Sequence, residues 1–274
     1  MAYSHVVLEK SGKVARIILH RPEGFNAYDL GLAAQLEQAM DSCGGDPEVG
    51  AVILTGEGKV FCSGGDIKEM REWMGREEEP VSVLFQKLTR HLHATVVEMR
   101  RMPKPVIGAI NGVAAGAGFS LALACDLRIA STAARFTQAY TKIGLVPDGG
   151  SSYFLPRLVG PARAAELMFL NRVLTAQEAL QWGLVSRVVD AEELETEALS
   201  LAQELADGPW EAHGLLKRLL CRTWELSLEG QLEEERRGII EASLTWDFQE
   251  GVEAFLAKRK PRFAKTGRSP CAHP

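Results

Sequence analysis

The stretch that decides the fold is Ile107–Asp126, IGAINGVAAGAGFSLALACD. Val106, Ile107, Ala109 and Ile110 form a short apolar run, entered through Pro103 and Pro105 and broken by Asn111-Gly112. A run of that length bounded by turn residues predicts a buried strand. Gly116-Ala117-Gly118 then opens a segment carrying Phe119, Leu121, Leu123 and Ala124, which predicts a helix. The first N–H groups of a helix lack internal partners, and the helix dipole makes that end partly positive. Small residues there let a ligand oxygen approach the backbone. The turn reads either as an anion or oxyanion site or as a packing turn of small residues.

Upstream, Val6–Glu9 and Val14–Leu19 are β-rich runs joined by Lys10-Ser11-Gly12-Lys13, a hairpin signal. Asp29 is placed to cap a helix with Leu32, Leu36, Ala39 and Met40 at helical spacing, stopped by Gly44-Gly45. Ala51–Leu54 reads as a strand, and Phe61–Met70, FCSGGDIKEM, as a loop leading into a helix. A long helix runs to about Arg100, after the acidic run Glu77–Glu79 and Pro80. Downstream, Leu127–Ala130 is a strand, Phe136–Ile143 is irregular, and Leu145–Ser152 holds a Pro-Asp-Gly-Gly turn. Helices follow at Tyr153–Leu158, Arg163–Leu170 and Ala176–Trp182, with a last strand at Leu184–Val189. Beyond Ala191 the pattern is all helical. The chain thus divides into a mixed α/β part, residues 1–190, and a helical part, 191–274.

A hydrophobic fraction of 46% with 24% charged residues is globular, and a formal net charge of −5 argues against a nucleic-acid surface. Five scattered cysteines (43, 62, 125, 221 and 271) lack any metal spacing and point to free thiols in a reducing compartment. The N-terminus has no targeting character, and no apolar run approaches a membrane span. A cytoplasmic protein without membrane or nucleic-acid partners is expected. The six histidines are scattered, so no metal site is predicted, and Gly112–Gly118 lacks the downstream acid of a dinucleotide site.

Taken together, FCSGGDIKEM, PKPVIGAINGVAAG (103–116), Pro147-Asp148-Gly149-Gly150, Trp182-Gly183-Leu184-Val185 and GVEAFLAKRKPRF (251–263) closely resemble the enoyl-CoA hydratase/isomerase, or crotonase, family. The resemblance runs from about Val6 to Phe263. It implies an α/β fold, a crotonase-like spiral of ββα units with a helical C-terminal trimerisation region, assembled as homotrimers or homohexamers. It implies an acyl-CoA thioester substrate and no separate cofactor, since coenzyme A is part of that substrate. Two backbone N–H groups, by motif position those of Gly65 and Ala117, would stabilise the enolate oxygen, typically by a few kcal/mol each. Ser63, Gly65, Asp66 and Ile67 match the family's adenine- and pantetheine-binding stretch. Lys68 there is either a phosphate neighbour or a solvated helix charge. Phe255 and Lys258 match positions that contact the CoA adenine and phosphate, often from a neighbouring subunit.

The departures bear on the reaction. Hydratases of the family use two glutamates around one water. Their positions hold Ser120 and Tyr140 here, neither of which does carboxylate chemistry near neutral pH. Both remain candidate substrate contacts. A different acid, Asp148 in LVPDGGSSY, resembles the single catalytic acid of Δ3,Δ2-enoyl-CoA and epoxyphenylacetyl-CoA-type isomerases. One carboxylate suffices to move a proton from C2 to C4. A free Asp is a weak base, with a pKa of about 3.9, and an apolar wall of Phe119, Leu145, Val146 and Phe154 could raise it. A double-bond isomerase is therefore expected, with hydration of an enoyl- or cyclic dienoyl-CoA as the alternative. Dehalogenases of the family place an aspartate, a tryptophan and a histidine where this chain has Asp148, Tyr140 and His93. His93 is thus a possible auxiliary group or a helix-surface residue. A non-catalytic acyl-CoA scaffold is the remaining reading, motivated by the two missing glutamates.

Overall fold

The structure is a computed structural model that describes residues 4–263. Cys271 and His273 lie outside the described residues. The chain opens with the expected hairpin, β1 (Val6–Ser11) and β2 (Val14–Leu19), paired antiparallel from Val6↔Leu19 to Ser11↔Val14. Helix α1 (Leu30–Gly45) starts where Asp29 accepts the Leu32 N–H at 2.7 Å, a side-chain cap. The chain then runs through β3 (Ala51–Gly56), β4 (Val60–Cys62), α2 (Ile67–Met74), α3 (Val81–Arg101), β5 (Val106–Ile110), β6 (Val113–Ala115) and α4 (Ala117–Ala124). Next come β7 (Leu127–Ser131), β8 (Arg135–Thr137), a 3-10 turn (Tyr140–Ile143), α5 (Ser151–Val159), α6 (Pro161–Leu170), β9 (Leu174–Thr175), α7 (Ala176–Gln181) and β10 (Arg187–Val189). Four helices close the described chain: α8 (Leu194–Ala206), α9 (Trp210–Arg222), α10 (Leu228–Ser243) and α11 (Trp246–Leu256).

The strands form two sheets. A six-stranded sheet has the order β1-β2-β3-β5-β7-β10, parallel after the hairpin; a four-stranded sheet has the order β4-β6-β8-β9. In each of the pairs β3–β4, β5–β6 and β7–β8, the first strand joins the large sheet and the second the small one. This is the strand–strand–helix spiral. Strands β4, β6 and β8 sit in stretches read from sequence as loop, turn and irregular chain. Three residues are too few to show a period of two.

The large sheet is buried on both faces. Alternate residues of β3 and β5 (Val52, Leu54, Val106 and Ile110) face a core shared with α1, α3 and α4. Ala51, Ile53, Ile107 and Ala109 face a second core under Leu194, Ala198, Ala202 and Ala206 of α8. These strands therefore read as continuous apolar runs. Helix α8 follows residue 190 but packs on the large sheet, sharing that core. Asp126, after α4, ties the layers together. It accepts from the Val106 N–H (2.9 Å), Arg100 of α3 (2.7 Å) and Lys217 of α9 (2.6 Å).

Candidate active site

Helix α4 is buried on every side, from Ala117 to Ala124, as its uniformly apolar sequence requires. Its start is pressed against β4: a Cβ on Gly118 would lie 2.3 Å from the Cys62 carbonyl oxygen. Just beyond, the loop after β4 and the loop before α4 touch. Gly64 (φ +96°) and Gly116 (φ +50°) both take conformations that side-chain-bearing residues avoid. A Cβ on Gly116 would sit 3.5 Å from Gly64 Cα, so no side chain separates the two backbones.

The residues that follow this crossing are Gly65 and Ala117. Tyr28 donates its N–H to Gly64 O (2.8 Å) and accepts from the Asp66 N–H (3.1 Å), a parallel bridge around Gly65. In that pairing the N–H of Gly65 itself points away from Tyr28. The Ala117 N–H belongs to the first residue of α4 and has no helical acceptor. Among the described residues, neither N–H donates to a protein group.

Asp148 lies on the turn between the 3-10 turn and α5. Its Oδ1 accepts the Tyr140 hydroxyl at 2.5 Å, and its carbonyl accepts Ser120 Oγ at 2.9 Å. Ser120 Oγ is also 3.0 Å from the Tyr140 hydroxyl and 3.3 Å from Gly116 O, on the Gly64–Gly116 crossing. The carboxylate is therefore linked to the crossing through two side chains. Burial pushes the Asp148 pKa above the usual carboxylate range, against the pull of the Tyr140 hydrogen bond and of His93. The neighbouring Tyr140 is raised well above its ordinary value, by burial first and then by the Asp148 charge.

Ser120 and Tyr140, candidate substrate contacts by sequence, are 0% and 8% exposed and spend their hydroxyls on each other and on Asp148. The expected apolar wall differs in part. Phe119 is in the main core, its ring 5.6 Å from that of Phe136, and Val146 is 79% exposed. Phe154 does stand against the turn, 2.7 Å from a Cβ on Gly150, and Leu92, not foreseen, joins it 2.9 Å from a Cβ on Gly149. Phe119, one residue before Ser120, lies about 100° round α4 from it and packs on Phe136. His93 is exposed on α3, and its Nε2 accepts the Gly149 N–H at 3.4 Å.

Asp66 caps α2 through the Lys68 and Glu69 N–H groups (3.0 and 3.3 Å) and pairs with Arg21 at 3.1 Å. Its side chain is thus committed to the loop, and its backbone is engaged as well, the N–H by Tyr28 O (3.1 Å) and the carbonyl by the Met70 N–H (3.0 Å). Ser63, Ile67 and Lys68 are exposed. Phe255, 84% exposed, and Lys258 lie at the end of α11, a helix packed on α9 and α10. Within the single chain, no hydrogen bond or ion pair among the described residues ties either of them to the 61–68 loop.

Three positions escaped the sequence reading. Arg21 also pairs with Asp29 at 3.1 Å, tying the Gly65 loop to the start of α1. Asn26, fully buried at φ +51°, bonds Glu57 O and Val60 O at 3.0 and 2.7 Å. Ala139 sits at φ +58° and aims Tyr140 at Asp148, at a backbone cost on the order of 1 kcal/mol or more. A signal existed only for Arg21 and Asn26, in the turn-rich HRPEGFN. A cavity of about 1130 Å³, lined by Val96, Arg100, Leu123, Tyr153, Phe154 and Leu215 among others, lies beyond Phe154; Asp148 does not line it. Among the described residues no group of three metal-ligating side chains assembles, and no helix is long and apolar enough to cross a membrane. Cys43, Cys62, Cys125 and Cys221 are free; burial holds the Cys62 and Cys125 thiols up at about 12.

Comparison with known proteins shows the family. Residues 9–266 match the family model described as enoyl-CoA hydratase/isomerase. The chain is 39% identical over 250 residues to the 1,2-epoxyphenylacetyl-CoA isomerase of Escherichia coli K12, covering 91% of this chain and 94% of that protein. It is 36% identical to a short-chain-enoyl-CoA hydratase of Clostridium acetobutylicum, covering 95% and 97% respectively. The crystal structure of an enoyl-CoA hydratase from Polaromonas sp. JS666 superposes with a TM-score of 0.88 at 36% identity, over 94% of this chain and 98% of that one. On the ββα spiral, the glycine crossing and these matches together, the chain belongs to the enoyl-CoA hydratase/isomerase family.

Proposed function

We propose that this acyl-CoA enzyme forms a thioester enolate, with the Gly65 and Ala117 N–H groups as donors to the carbonyl oxygen and Asp148 as the base. The observation that carries the reading is the contact cluster that joins the Gly64–Gly116 crossing to one half-buried carboxylate: Ser120 Oγ lies 3.3 Å from Gly116 O and 3.0 Å from the Tyr140 hydroxyl, and that hydroxyl donates to Asp148. Negative charge that develops on a thioester oxygen near the crossing meets two free amides already in place. Asp148 removes the C2 proton, the enolate holds the electron pair, and the same carboxyl returns the proton at C4. Burial makes Asp148 a stronger base than a solvated carboxylate.

Double-bond isomerisation is favoured because the two hydratase glutamate positions hold Ser120 and Tyr140, both already engaged. Hydration is the second reading, kept by the similarity to the Clostridium hydratase. The test is a panel of 2-enoyl-, 3-enoyl- and aryl-CoA thioesters in heavy water. Exchange at C2 and migration of the double bond, without a hydroxyacyl product, is the expected result. A hydroxyacyl-CoA as main product rejects isomerisation, a released halide from a halo-aryl thioester points to dehalogenation, and binding without turnover rejects catalysis.

We read the C-terminal helices as the surface between copies. Leu216, Leu220, Trp224, Ile239, Phe255 and Leu256 are all exposed apolar residues on α9–α11 or the turn after α9. Assembly as a homotrimer or homohexamer would cover them and set Phe255 and Lys258 beside a neighbour's CoA. Light scattering on the purified protein tests this; a monomer at micromolar concentration would rule it out.

A further inference from the structure

We infer that Tyr140 and Ser120 are a positioning pair for Asp148, which pins one carboxylate oxygen and leaves the other to carry the proton between C2 and C4. This deepens the reading of Asp148 as the base and rests on it. Tyr140 Oη is 2.5 Å from Asp148 Oδ1, and Ser120 Oγ reaches both the Asp148 carbonyl (2.9 Å) and Tyr140 Oη (3.0 Å). Ser120 has one proton, and the Asp148 carbonyl (2.9 Å), the Tyr140 oxygen (3.0 Å) and Gly116 O (3.3 Å) compete for it. In each case the Tyr140 proton remains for the carboxylate. Tyr140 thus holds the Asp148 side chain, and Ser120 steadies either the Asp148 main chain or the Tyr140 oxygen. Tyr140 is itself aimed by the left-handed Ala139 and by α4 beneath it.

The brace survives the reaction. When Oδ2 takes the C2 proton, the C2–H electron pair passes into the thioester and Oδ1 becomes a carbonyl-type acceptor that still receives the Tyr140 hydroxyl. When Oδ2 gives the proton to C4, the dienolate electrons re-form the thioester carbonyl and the carboxylate is restored. Nothing is consumed, and neither hydroxyl has to turn. A hydrogen bond to a carboxylate is stronger than one to its acid, so Tyr140 favours the ionised base and offsets the effect of burial. A phenol held in this way cannot also serve as the second acid or base that hydration of the double bond needs. The titratable groups facing Asp148 are Tyr140 from the 3-10 turn, His93 from α3, and the buried Tyr28, whose pKa the Asp148 charge helps to raise. The group from α4, Ser120, does not titrate.

The test compares wild type, Tyr140→Phe, Ser120→Ala, His93→Gln and Asp148→Asn by the pH dependence of C2 exchange, together with carbon NMR of the labelled Asp148 carboxyl without substrate. For Tyr140→Phe, the acid limb and the carboxyl titration both move to higher pH. The rate falls about tenfold below the limb, with kcat reduced and KM nearly unchanged. Ser120→Ala moves the limb the same way by less and carries the test should Tyr140→Phe fail to fold. His93→Gln identifies any limb that belongs to the imidazole. A uniform loss of rate in Tyr140→Phe, with limb and titration unmoved, overturns the pair while leaving Asp148 as base. Exchange that persists in Asp148→Asn overturns the base itself, a separate outcome.

Discussion

Substituting Gly118→Ala tests whether the closeness of α4 and β4 sets the two amides. The new methyl would lie 2.3 Å from Cys62 O, 2.6 Å from Cys62 Cβ and 2.9 Å from Cys62 C. Carbon contacts are comfortable from about 3.5 Å, so α4 and β4 must part by roughly 1 Å. The obstructing atoms are mostly backbone and cannot swing aside. Strand β4 delivers the Gly65 loop and α4 begins at Ala117, so the shift falls on the gap between their N–H groups. A displacement of that size costs about 100-fold in kcat. Overpacking costs about 1–3 kcal/mol of stability, which lowers Tm by roughly 2–12 °C for a chain of this length. The assay is conversion of a 3-enoyl-CoA, followed by the absorbance of the conjugated thioester, beside a thermal melt by circular dichroism. Gly230→Ala in the first turn of α10 is the control: its nearest neighbour is 3.5 Å away, and the change should stabilise by roughly 0.5–1 kcal/mol. A folded Gly118→Ala enzyme with wild-type kcat would refute the idea that this contact places the donors.

Asp148→Asn should lower kcat by about 100-fold or more with CoA affinity nearly intact, measured by steady-state kinetics and calorimetry. It should also raise Tm at neutral pH. The native carboxyl holds its proton more tightly than the unfolded one, so ionised Asp148 costs stability, and Asn removes that cost. Asp247, 6% exposed on α11, has its pKa pushed up to about 6 by burial and then by Glu211. Here too the folded state binds the proton more tightly. Its contribution is best at low pH and is lost as pH rises from the ordinary 3.8 to about 6. Melts across that window should show the slope in wild type and a shallower one in Asp247→Asn.

The parts of the fold legible in the sequence are those with a period or a cap. The β1–β2 hairpin announces itself by alternation and Ser11-Gly12, and α1 by Asp29 and its leucine spacing. The small sheet does not, because Val60–Cys62, Val113–Ala115 and Arg135–Thr137 are each three residues whose pairing is wholly long-range. At the site, glycine spacing pointed to residues 64–65 and 116–118 because only glycine permits that crossing. The Tyr140–Asp148 bond was hidden. It depends on a left-handed alanine at 139, a conformation that no residue type there signals. The role of Ser120 was hidden for a related reason: a serine inside a buried helix has no local mark of its partner, which arrives from a turn 28 residues later. The burial of Phe119 and exposure of Val146 depend on how α4 and the Asp148 turn are rotated against the core, which periodicity leaves open over such short segments.

The central claim is that one carboxyl both takes and returns the same proton. A 3-enoyl-CoA deuterated at C2, converted in ordinary water under single-turnover conditions, tests it most directly by mass spectrometry of the product. Deuterium found at C4 of the 2-enoyl product, and no such transfer in Asp148→Asn, is the predicted result. A product carrying only solvent protons at C4, or a hydroxyl group at C3, would contradict it.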